Sequence, residues 1–483
     1  MLEREQYNIE MDKQRREQIS ELSKYLDYYI KLNAEIRSQP VSAEPDPKLI
    51  HKYSTMPIPE KGREPKAVGN ELAEEVLSHS MNLQHPRFFS FVASAVSPYS
   101  VAGSVLTDIF NPNACGFSIS PVCGVIEENL IRWMGSLAGF DPKACGGIFT
   151  SGGSLSNLTG MIAAREKKLP GRFDLANAVA FCSDQAHSSV KKGMRLMGLR
   201  NDQIIILETD DDYKMRVDLL EAAIKKELDA GRKPFLLVGS MGTTNTGSID
   251  PLDSLADIAE KYELWFHVDG AYGGSVLLSP IYKHLLAGLE RADSFSWDLH
   301  KWALQDYSCS CVIVRDKHDL LNAFSEHPEY LADILNEEHN DGWDLGIEMS
   351  RPARAIKFWY TLQCMGTDLM ADLVDYAFFN AKTAEKSFRE MDDWEIVSKP
   401  MCGAINVRYV PKSVPAERYN DLNAAISEAV LKDGYAYIVT TVLKGKRVLR
   451  LCFINGNTET SDVLNTVERM GHLARSLEKE FRG

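Results

Sequence analysis

A lysine placed directly after a short strand-like segment constrains this chain more than any other feature. Residues 294–301 read Ser-Phe-Ser-Trp-Asp-Leu-His-Lys, and the alternation of polar and aromatic residues in the first four predicts a half-buried strand. Lys301 falls among apolar neighbours such as Trp297 and Trp302. An ammonium there is costly unless it is paired or neutralised, and a lysine with a lowered pKa is a good nucleophile for a carbonyl, with which it could form a Schiff base. A lone lysine usually extends its charge to solvent instead.

A second strand-like segment supplies the partner that such a lysine needs. The apolar run Leu264–Asp269 ends in an aspartate and is followed by Gly-Ala-Tyr-Gly-Gly. In a pyridoxal 5'-phosphate (PLP) site, a lysine holds the aldehyde carbon, and an aspartate pairs with the pyridine nitrogen and keeps it protonated. The pairing of Asp269 with Lys301 therefore predicts a PLP site.

These two segments carry a resemblance to a known family. Residues 267–274 (His-Val-Asp-Gly-Ala-Tyr-Gly-Gly) and 296–301 (Ser-Trp-Asp-Leu-His-Lys) resemble the group II PLP-dependent amino-acid decarboxylases. Within them, the chain is most similar to aromatic L-amino-acid decarboxylases, especially the bacterial tryptophan decarboxylases, from about residue 55 to its C-terminus. The resemblance implies decarboxylation of an aromatic L-amino acid to the arylalkylamine and CO2. Tryptophan is the first expected substrate, followed by phenylalanine or tyrosine.

The pattern of the whole chain predicts an α/β protein. Apolar strand-like runs alternate with helical stretches between residues 148 and 314, which favours a mainly parallel sheet covered by helices on both faces. The resemblance makes this the PLP-dependent transferase fold type I (aspartate aminotransferase-like), with a seven-stranded sheet. We expect a helical N-terminal arm (1–80), a large PLP-binding domain (81–351) and a smaller α+β domain (352–483). Residues 39–66 are rich in proline and charge and predict an extended segment.

Composition excludes several classes of function. The net charge of −14 argues against nucleic acid and anionic membranes as partners. No run of 18 apolar residues predicts a membrane span, and the first residues lack the apolar region of a signal peptide. The nine cysteines show no Cys-x-x-Cys pair, which favours a reducing cytoplasm and no structural metal. Cys309 and Cys311 alternate on a predicted strand and are expected to be buried thiols on one side.

Other residues are predicted to hold the cofactor. The strand–turn–helix segment 148–157 contains Gly-Gly-Ser, where Gly153 would admit a phosphate to the backbone amides and Ser154 would cap the helix and donate to the phosphate. The resemblance adds the remaining contacts. It places His187 on the pyridine ring, orienting the substrate carboxylate, and Ala271 flat against the ring, and it favours Thr244 as a contact of the cofactor or of His187.

One position departs from the family pattern. Asn-Pro-His-Lys is common at the lysine, whereas this chain has Asp298-Leu-His-Lys. A carboxylate would repel a phosphate unless it pairs with a cation or points away, so His300 is the alternative phosphate ligand.

The charged segment 324–342 reads either as a solvated surface loop or, by resemblance, as a lid. In the second case Tyr330 reaches the cofactor of the neighbouring subunit and donates a proton. Phe91, Val92 and Trp343 offer aromatic and apolar walls to a substrate, and the resemblance places Asn113 and Ile119 at pocket positions. There is no conspicuous arginine cluster for an acidic side chain, although Arg351 and Arg354 follow the lid segment.

Three alternatives stay open from the sequence. An aldehyde-forming deaminase and a glutamate-type decarboxylase would use the same cofactor, and a catalytically silent dimer would use the fold for binding alone. The intact set Lys301, Asp269, His187 and Tyr330 argues against the last. The helical residues Leu22 to Ile30 have an apolar face without a partner nearby, and the family shares its sites between subunits, so we expect a homodimer.

Overall fold

The computed structural model describes residues 4–42, 45–170, 172–326 and 339–482. The chain begins with helix α1 (Arg4–Ala34), as predicted, and none of its residues is buried. The prediction of an extended segment over 39–66 is wrong in part, because α2 (Pro47–Thr55) lies there and α3 (Pro65–Glu71) begins at its end. Both helices start at a proline behind a carboxylate cap, Asp46 or Glu64. Proline is favoured at the first helical position, so these prolines begin helices instead of preventing them.

A seven-stranded sheet forms the centre of the molecule, with the order β1-β7-β6-β5-β4-β2-β3. Its strands are β1 (Gly146–Thr150), β2 (Ala178–Ser183), β3 (Ile204–Leu207), β4 (Lys233–Ser240), β5 (Trp265–Asp269), β6 (Ser294–Trp297) and β7 (Ser310–Val314). Neighbouring strands are parallel from β6 to β3, and β7 is antiparallel to both β6 and β1. The predicted mainly parallel seven-stranded sheet is confirmed.

Helices cover both faces of this sheet. They are α4 (Pro98–Phe110), α5 (Pro121–Leu137), α6 (Gly153–Lys168), α7 (Ser188–Leu196), α8 (Val217–Asp229), α9 (Leu252–Lys261), α10 (Leu299–Trp302) and α11 (His318–Phe324). Strand β2 shows the two-sided burial, since Ala180 packs with Val190 of α7 and Phe181 packs with the core that contains Leu220 of α8. Continuous burial on both faces is typical of parallel strands.

The second sheet is antiparallel and has four strands in the order β10-β11-β9-β8. Its strands are β8 (Trp394–Met401), β9 (Ala404–Tyr409), β10 (Val439–Leu443) and β11 (Lys446–Cys452). The helices of this region are α12 (Ala355–Arg389), α13 (Tyr419–Asp433) and α14 (Thr460–Phe481). Helix α12 breaks at Gly366, where φ is 73°, and its two parts reach different cores. Phe358 packs in the core of the large sheet, and Ala381 packs in the core of the small one.

The boundary at residue 81 stays a prediction, and one contact bears on it. Phe89 packs in the core of the small sheet, and its backbone N–H donates to the carbonyl of Tyr437. Residues near 88–94 thus join the connection between the two sheets. Within the described ranges, none of the helices combines the length and apolar character needed to cross a bilayer.

Candidate active site

The carboxyl ends of β5 and β6 bring the two key residues to one edge of the sheet. Asp269 is the last residue of β5 and pairs in register with Ser296 of β6, and α10 places Lys301 just beyond that strand. The Asp269 carboxylate accepts hydrogen bonds from the Ala271 N–H (3.1 Å) and from Ser296 Oγ (3.3 Å). The ends of parallel strands are where ligands bind in such sheets.

The expected half-burial of residues 294–297 is wrong, since all four are buried. The polar members of the alternation are satisfied inside the sheet instead of facing solvent. Ser294 Oγ accepts a hydrogen bond from Trp265 Nε1 at 2.9 Å, and Ser296 Oγ donates to Asp269. A central strand flanked on both sides can bury hydroxyls when each has a partner.

Pairing and neutralisation were both open for the Lys301 ammonium, and the structure shows that it is paired. Its Nζ lies 2.9 Å from Asp298 Oδ2. Burial acts to lower the pKa of Lys301, but the charges of Asp298 and Asp269, with the hydrogen bond to Asp298, outweigh it and raise the pKa. In the cofactor-free protein the amine is therefore held as an ammonium.

Asp298, the departure from the family pattern, is buried and fully engaged. Ser310 Oγ donates a short hydrogen bond to Oδ1, and Lys301 pairs with Oδ2. The required cation is thus present. His300 Nδ1 accepts a hydrogen bond from the Cys309 N–H at 3.2 Å, which leaves its proton on Nε2, 3.7 Å from Asp298 Oδ2. Burial lowers the pKa of His300, so the ring is a neutral donor.

Replacing Asp298 by asparagine is expected to lower the pKa of Lys301 by about one to three units, the usual effect of one nearby charge. The measurement is the pH dependence of amine labelling at Lys301 in cofactor-free protein, followed by peptide mass spectrometry. Ser310→Ala is the matched control, because it removes a hydrogen bond to Asp298 and keeps the charge. An unchanged or higher labelling midpoint in D298N would contradict the assignment.

The glycine turn before α6 lies against this group. A Cβ built on Gly153 would come within 2.7 Å of Asp298 Oδ2 and 2.9 Å of the Ala271 methyl, and one on Gly152 would lie 3.6 Å from His300 Cε1. Only glycine allows the backbone to approach so closely at position 153. The prediction that Ser154 caps α6 is wrong, because the cap residue is Gly152 and Ser154 is the second helical residue, exposed at the surface.

The other predicted cofactor contacts lie on neighbouring strand ends. His187 caps α7, and its Nδ1 accepts a hydrogen bond from the Ser189 N–H at 3.2 Å. Ala271 is buried two residues after β5, and Thr244 is half-buried in the loop after β4. The roles of His187, Thr244 and Ala271 stay predictions.

Within one chain, the proposed substrate contacts lie in two places: Phe91 lies beside β11, whereas Asn113 and Trp343 lie where residues 113–116 meet residues 341–351. Phe91 is exposed, and its carbonyl accepts a hydrogen bond from Arg450 Nη1 of β11 at 2.7 Å. Asn113, by contrast, accepts the backbone N–H of Arg351 through Oδ1 at 3.1 Å. Trp343 is buried, and its ring lies where a Cβ of the neighbouring Gly116 would have to be.

Ile119, Val92 and Tyr330 are the remaining residues predicted for the site. Ile119 is exposed before α5, and Val92 is half-buried beside the core of the large sheet. Tyr330 lies outside the described residues.

Two arginines whose reach was open from the sequence are committed to carboxylates. Arg351 pairs with Glu127 at 2.7 and 3.0 Å, and Arg354 pairs with Glu348 at 2.7 and 2.8 Å. Both pairs are two-pronged, which satisfies the fork of the guanidinium. Neither positive charge is free for the side chain of a substrate.

Several polar residues beside the site were not found from the sequence. Ser310 binds Asp298, and Asn157 and Ser189 join His187 to the buried His267. The signal was weak, because serine and asparagine side chains usually hydrogen-bond to backbone groups close to them in sequence. Among the described residues, no cluster of three His, Cys, Asp or Glu side chains could hold a metal ion.

Comparisons with known proteins agree with this geometry. A family model described as the pyridoxal-dependent decarboxylase conserved domain matches residues 48–410. An aromatic-L-amino-acid decarboxylase of Bacillus atrophaeus is 34% identical over 446 residues, 92% of either chain. An acidic amino acid decarboxylase of Xenopus tropicalis is 30% identical, covering 90% of this chain and 88% of that protein. The crystal structure of Oryza sativa TDC with PLP and tryptamine has a TM-score of 0.90 at 26% identity and covers 95% of this chain and 97% of that chain.

The seven-stranded sheet, with Asp269 and Lys301 at the ends of adjacent strands, and the similarity to the Oryza sativa structure define a PLP-dependent enzyme of fold type I. Within that class, the chain belongs to the pyridoxal-dependent decarboxylase family and is a carboxy-lyase that uses pyridoxal 5'-phosphate. The donor set fits the cofactor, with an amine, a carboxylate and a glycine turn on one edge of the sheet.

Proposed function

We propose that the chain decarboxylates an aromatic L-amino acid, tryptophan first and phenylalanine or tyrosine next, to the arylalkylamine and CO2. The observation that carries the reaction is the pair formed by Asp269 and Lys301 at adjacent strand ends. The aromatic substrate is supported by the similarity to the Bacillus atrophaeus enzyme and to the rice structure that contains tryptamine.

Each residue of the site has a proposed role. Lys301 holds the cofactor through its aldehyde carbon, and Asp269 keeps the ring nitrogen protonated, so that the ring withdraws electrons from the bond to the substrate carboxylate. The amides at Gly153, with Ser154 and His300, bind the phosphate. His187 lies on the ring face and orients the carboxylate, Ala271 packs on the other face, and Thr244 supports His187.

An acidic substrate is the main competitor, since an acidic amino acid decarboxylase is also a relative. A second carboxylate on the substrate would need a free cation or several donors. Arg351 and Arg354 are neutralised by Glu127 and Glu348. This favours an apolar side chain and argues against the glutamate-type alternative.

The experiment is an assay of CO2 and amine across aromatic and acidic amino acids, with the PLP-loaded protein. We expect turnover of tryptophan, phenylalanine or tyrosine and little of glutamate or cysteine sulfinate. Aldehyde with ammonia as the main product would support the deaminase alternative. Decarboxylation of acidic substrates alone would refute the aromatic proposal, and no turnover of either class would support the silent dimer.

The working unit is proposed to be a homodimer with shared sites. Large apolar side chains are exposed on α4, α5 and the connection between them, and their exposed fractions are large: Phe110 81%, Val122 69%, Ile109 51%, Ile119 49% and Leu106 49%. On α1, Ile30 is also 62% exposed. Such patches mark protein interfaces. If a second copy covered this surface, the Asn113 and Ile119 of one copy would approach the active site of the other.

Phe110→Glu is expected to convert the dimer to monomer at micromolar concentration. A two-fold interface uses the residue twice, and losing about 2 kcal/mol of apolar burial at each copy weakens association by roughly 1000-fold. Sedimentation analysis measures the mass, and Leu196→Glu on α7, at 65% exposure, is the matched control. A fully active monomer would refute the shared site, and a dimer unchanged in F110E would place the interface elsewhere.

A cytoplasmic location is also proposed. The nine cysteines all lie in described ranges as free thiols, and Cys309 and Cys311 are buried as predicted. Free thiols without disulfides suit a reducing compartment.

A further inference from the structure

A chain of buried polar side chains connects His187 to the interior of the large sheet. Ser189 Oγ lies 2.8 Å from His187 Nδ1, and the Ser189 backbone N–H donates to the same nitrogen. Asn157 Nδ2 donates to Ser189 Oγ at 3.2 Å, and Asn157 Oδ1 lies 3.0 Å from His267 Nε2. Asn157 and His267 are fully buried, so water does not compete for the contact between them.

The far end of this chain of hydrogen bonds is the indole N–H of Trp265, which can only donate. His267 Nδ1 lies 2.8 Å from Ser294 Oγ, and Ser294 Oγ accepts the indole N–H of Trp265. Gly160 of α6 makes this packing possible, because a Cβ there would lie 2.9 Å from His267 Nδ1 and 3.3 Å from Ser294 Oγ. The helix thus approaches the strand at the point where the polar chain passes.

The donors and acceptors fit one direction from end to end. A backbone N–H can only donate, so His187 Nδ1 is a lone-pair nitrogen, and the Ser189 hydroxyl donates to it. That hydroxyl accepts from the amide of Asn157, which turns its carbonyl oxygen towards His267 Nε2. A carbonyl oxygen can only accept, so His267 carries its proton on Nε2 and accepts at Nδ1.

The protonation of His267 agrees with this assignment. Burial, opposed by the charge of Asp269, lowers the pKa of His267 to about 4. At neutral pH the ring therefore has one proton, as a link with one donor and one acceptor needs.

We propose that Asn157, Ser189 and His267 are positioning residues that hold His187 in the tautomer with its proton on Nε2. The proposal rests on the proposed function only for the use of that proton, which is to donate to the substrate carboxylate. A ring free to change tautomer would present a lone pair for part of the time, and a lone pair repels a carboxylate. The chain thus keeps one donor aimed at the reacting group.

The test reads the tautomer directly and does not need activity. Cofactor-free protein labelled with 15N-histidine is measured by two-bond proton–nitrogen correlation, and His187 is assigned by its loss in His187→Gln. We expect a protonated Nε2 and a lone-pair Nδ1 in the parent. Asn157→Asp keeps the shape but removes the donor to Ser189. The ratio of His187 rings protonated on Nδ1 to those protonated on Nε2 should then rise by roughly tenfold, the ratio that one hydrogen bond of ordinary net strength supports.

Two further variants keep the test decisive if N157D does not fold. Ser189→Ala removes the hydroxyl and should shift the ratio as N157D does, whereas Ser189→Thr keeps a hydroxyl and should restore the parent spectrum. In the loaded enzyme, the shifted variants should lose kcat more than they raise KM. A parent His187 with its proton on Nδ1, or a ratio unmoved in both N157D and S189A, would overturn the proposal. A correct tautomer in a protein without decarboxylase activity would instead count against the proposed function alone.

Discussion

Asp269→Asn is expected to lower kcat by about 1000-fold while the cofactor stays bound. An ion pair at 4 Å contributes roughly 4 kcal/mol at an effective dielectric of 20, and a barrier raised by that amount slows a reaction about 1000-fold. Asparagine keeps the shape and can still accept the Ala271 N–H, but it cannot hold the pyridine nitrogen protonated. Steady-state decarboxylation at a measured cofactor content gives the comparison.

Ser296→Ala is the matched control for this substitution. It removes the 3.3 Å hydrogen bond to Asp269 and keeps the carboxylate, so its rate should stay within about tenfold of the parent. A D269N enzyme with bound cofactor and a near-parental rate would show that the carboxylate is not the partner of the ring nitrogen.

Tyr330→Phe is expected to change the product from mainly amine to mainly aldehyde. After CO2 leaves, Cα holds the electron pair of the broken bond and needs one proton, delivered in a site from which water is excluded. Phenylalanine keeps the ring and removes the proton, so the electron-rich carbon survives long enough to be oxidised by O2, which is reduced to hydrogen peroxide, and water then releases the aldehyde and ammonia. The measurement is the ratio of amine to aldehyde plus ammonia, with and without oxygen.

The control for this prediction is a tyrosine away from the site. Tyr7→Phe on α1 removes an exposed hydroxyl and should leave the product ratio unchanged. If Tyr330→Phe releases amine at the parental rate with no aldehyde, another group is the proton donor, and the role proposed for Tyr330 is wrong.

The sheet could be predicted because its strands carry their own signal. Strands such as Ala178–Ser183 and Trp265–Asp269 are short apolar runs, and helical stretches separate them. Alternation of this kind determines a parallel sheet, and the parallel sheet in turn places the strand ends, with Asp269 and Lys301, at one edge. The two residues that define the chemistry therefore follow from order along the chain.

What could not be predicted depends on contacts between distant residues. The pKa of Lys301 is raised because Asp298, three residues earlier on a tight turn, points back at its amine. Asn157 and His267 are 110 positions apart and meet only when α6 packs across β5. A partial signal existed, since Asn157 and Gly160 share one face of a helix, but a sequence does not show which strand that face covers.

Reduction with borohydride followed by peptide mapping tests the central claim most directly. Borohydride fixes the cofactor on the lysine that holds it, and the yellow absorbance of the loaded protein should bleach at the same time. We predict the pyridoxyl mass on the peptide that contains Lys301, at about one label per chain, and no label in Lys301→Ala. A label on another lysine, or a bleached protein with Lys301 unmodified, would contradict the account.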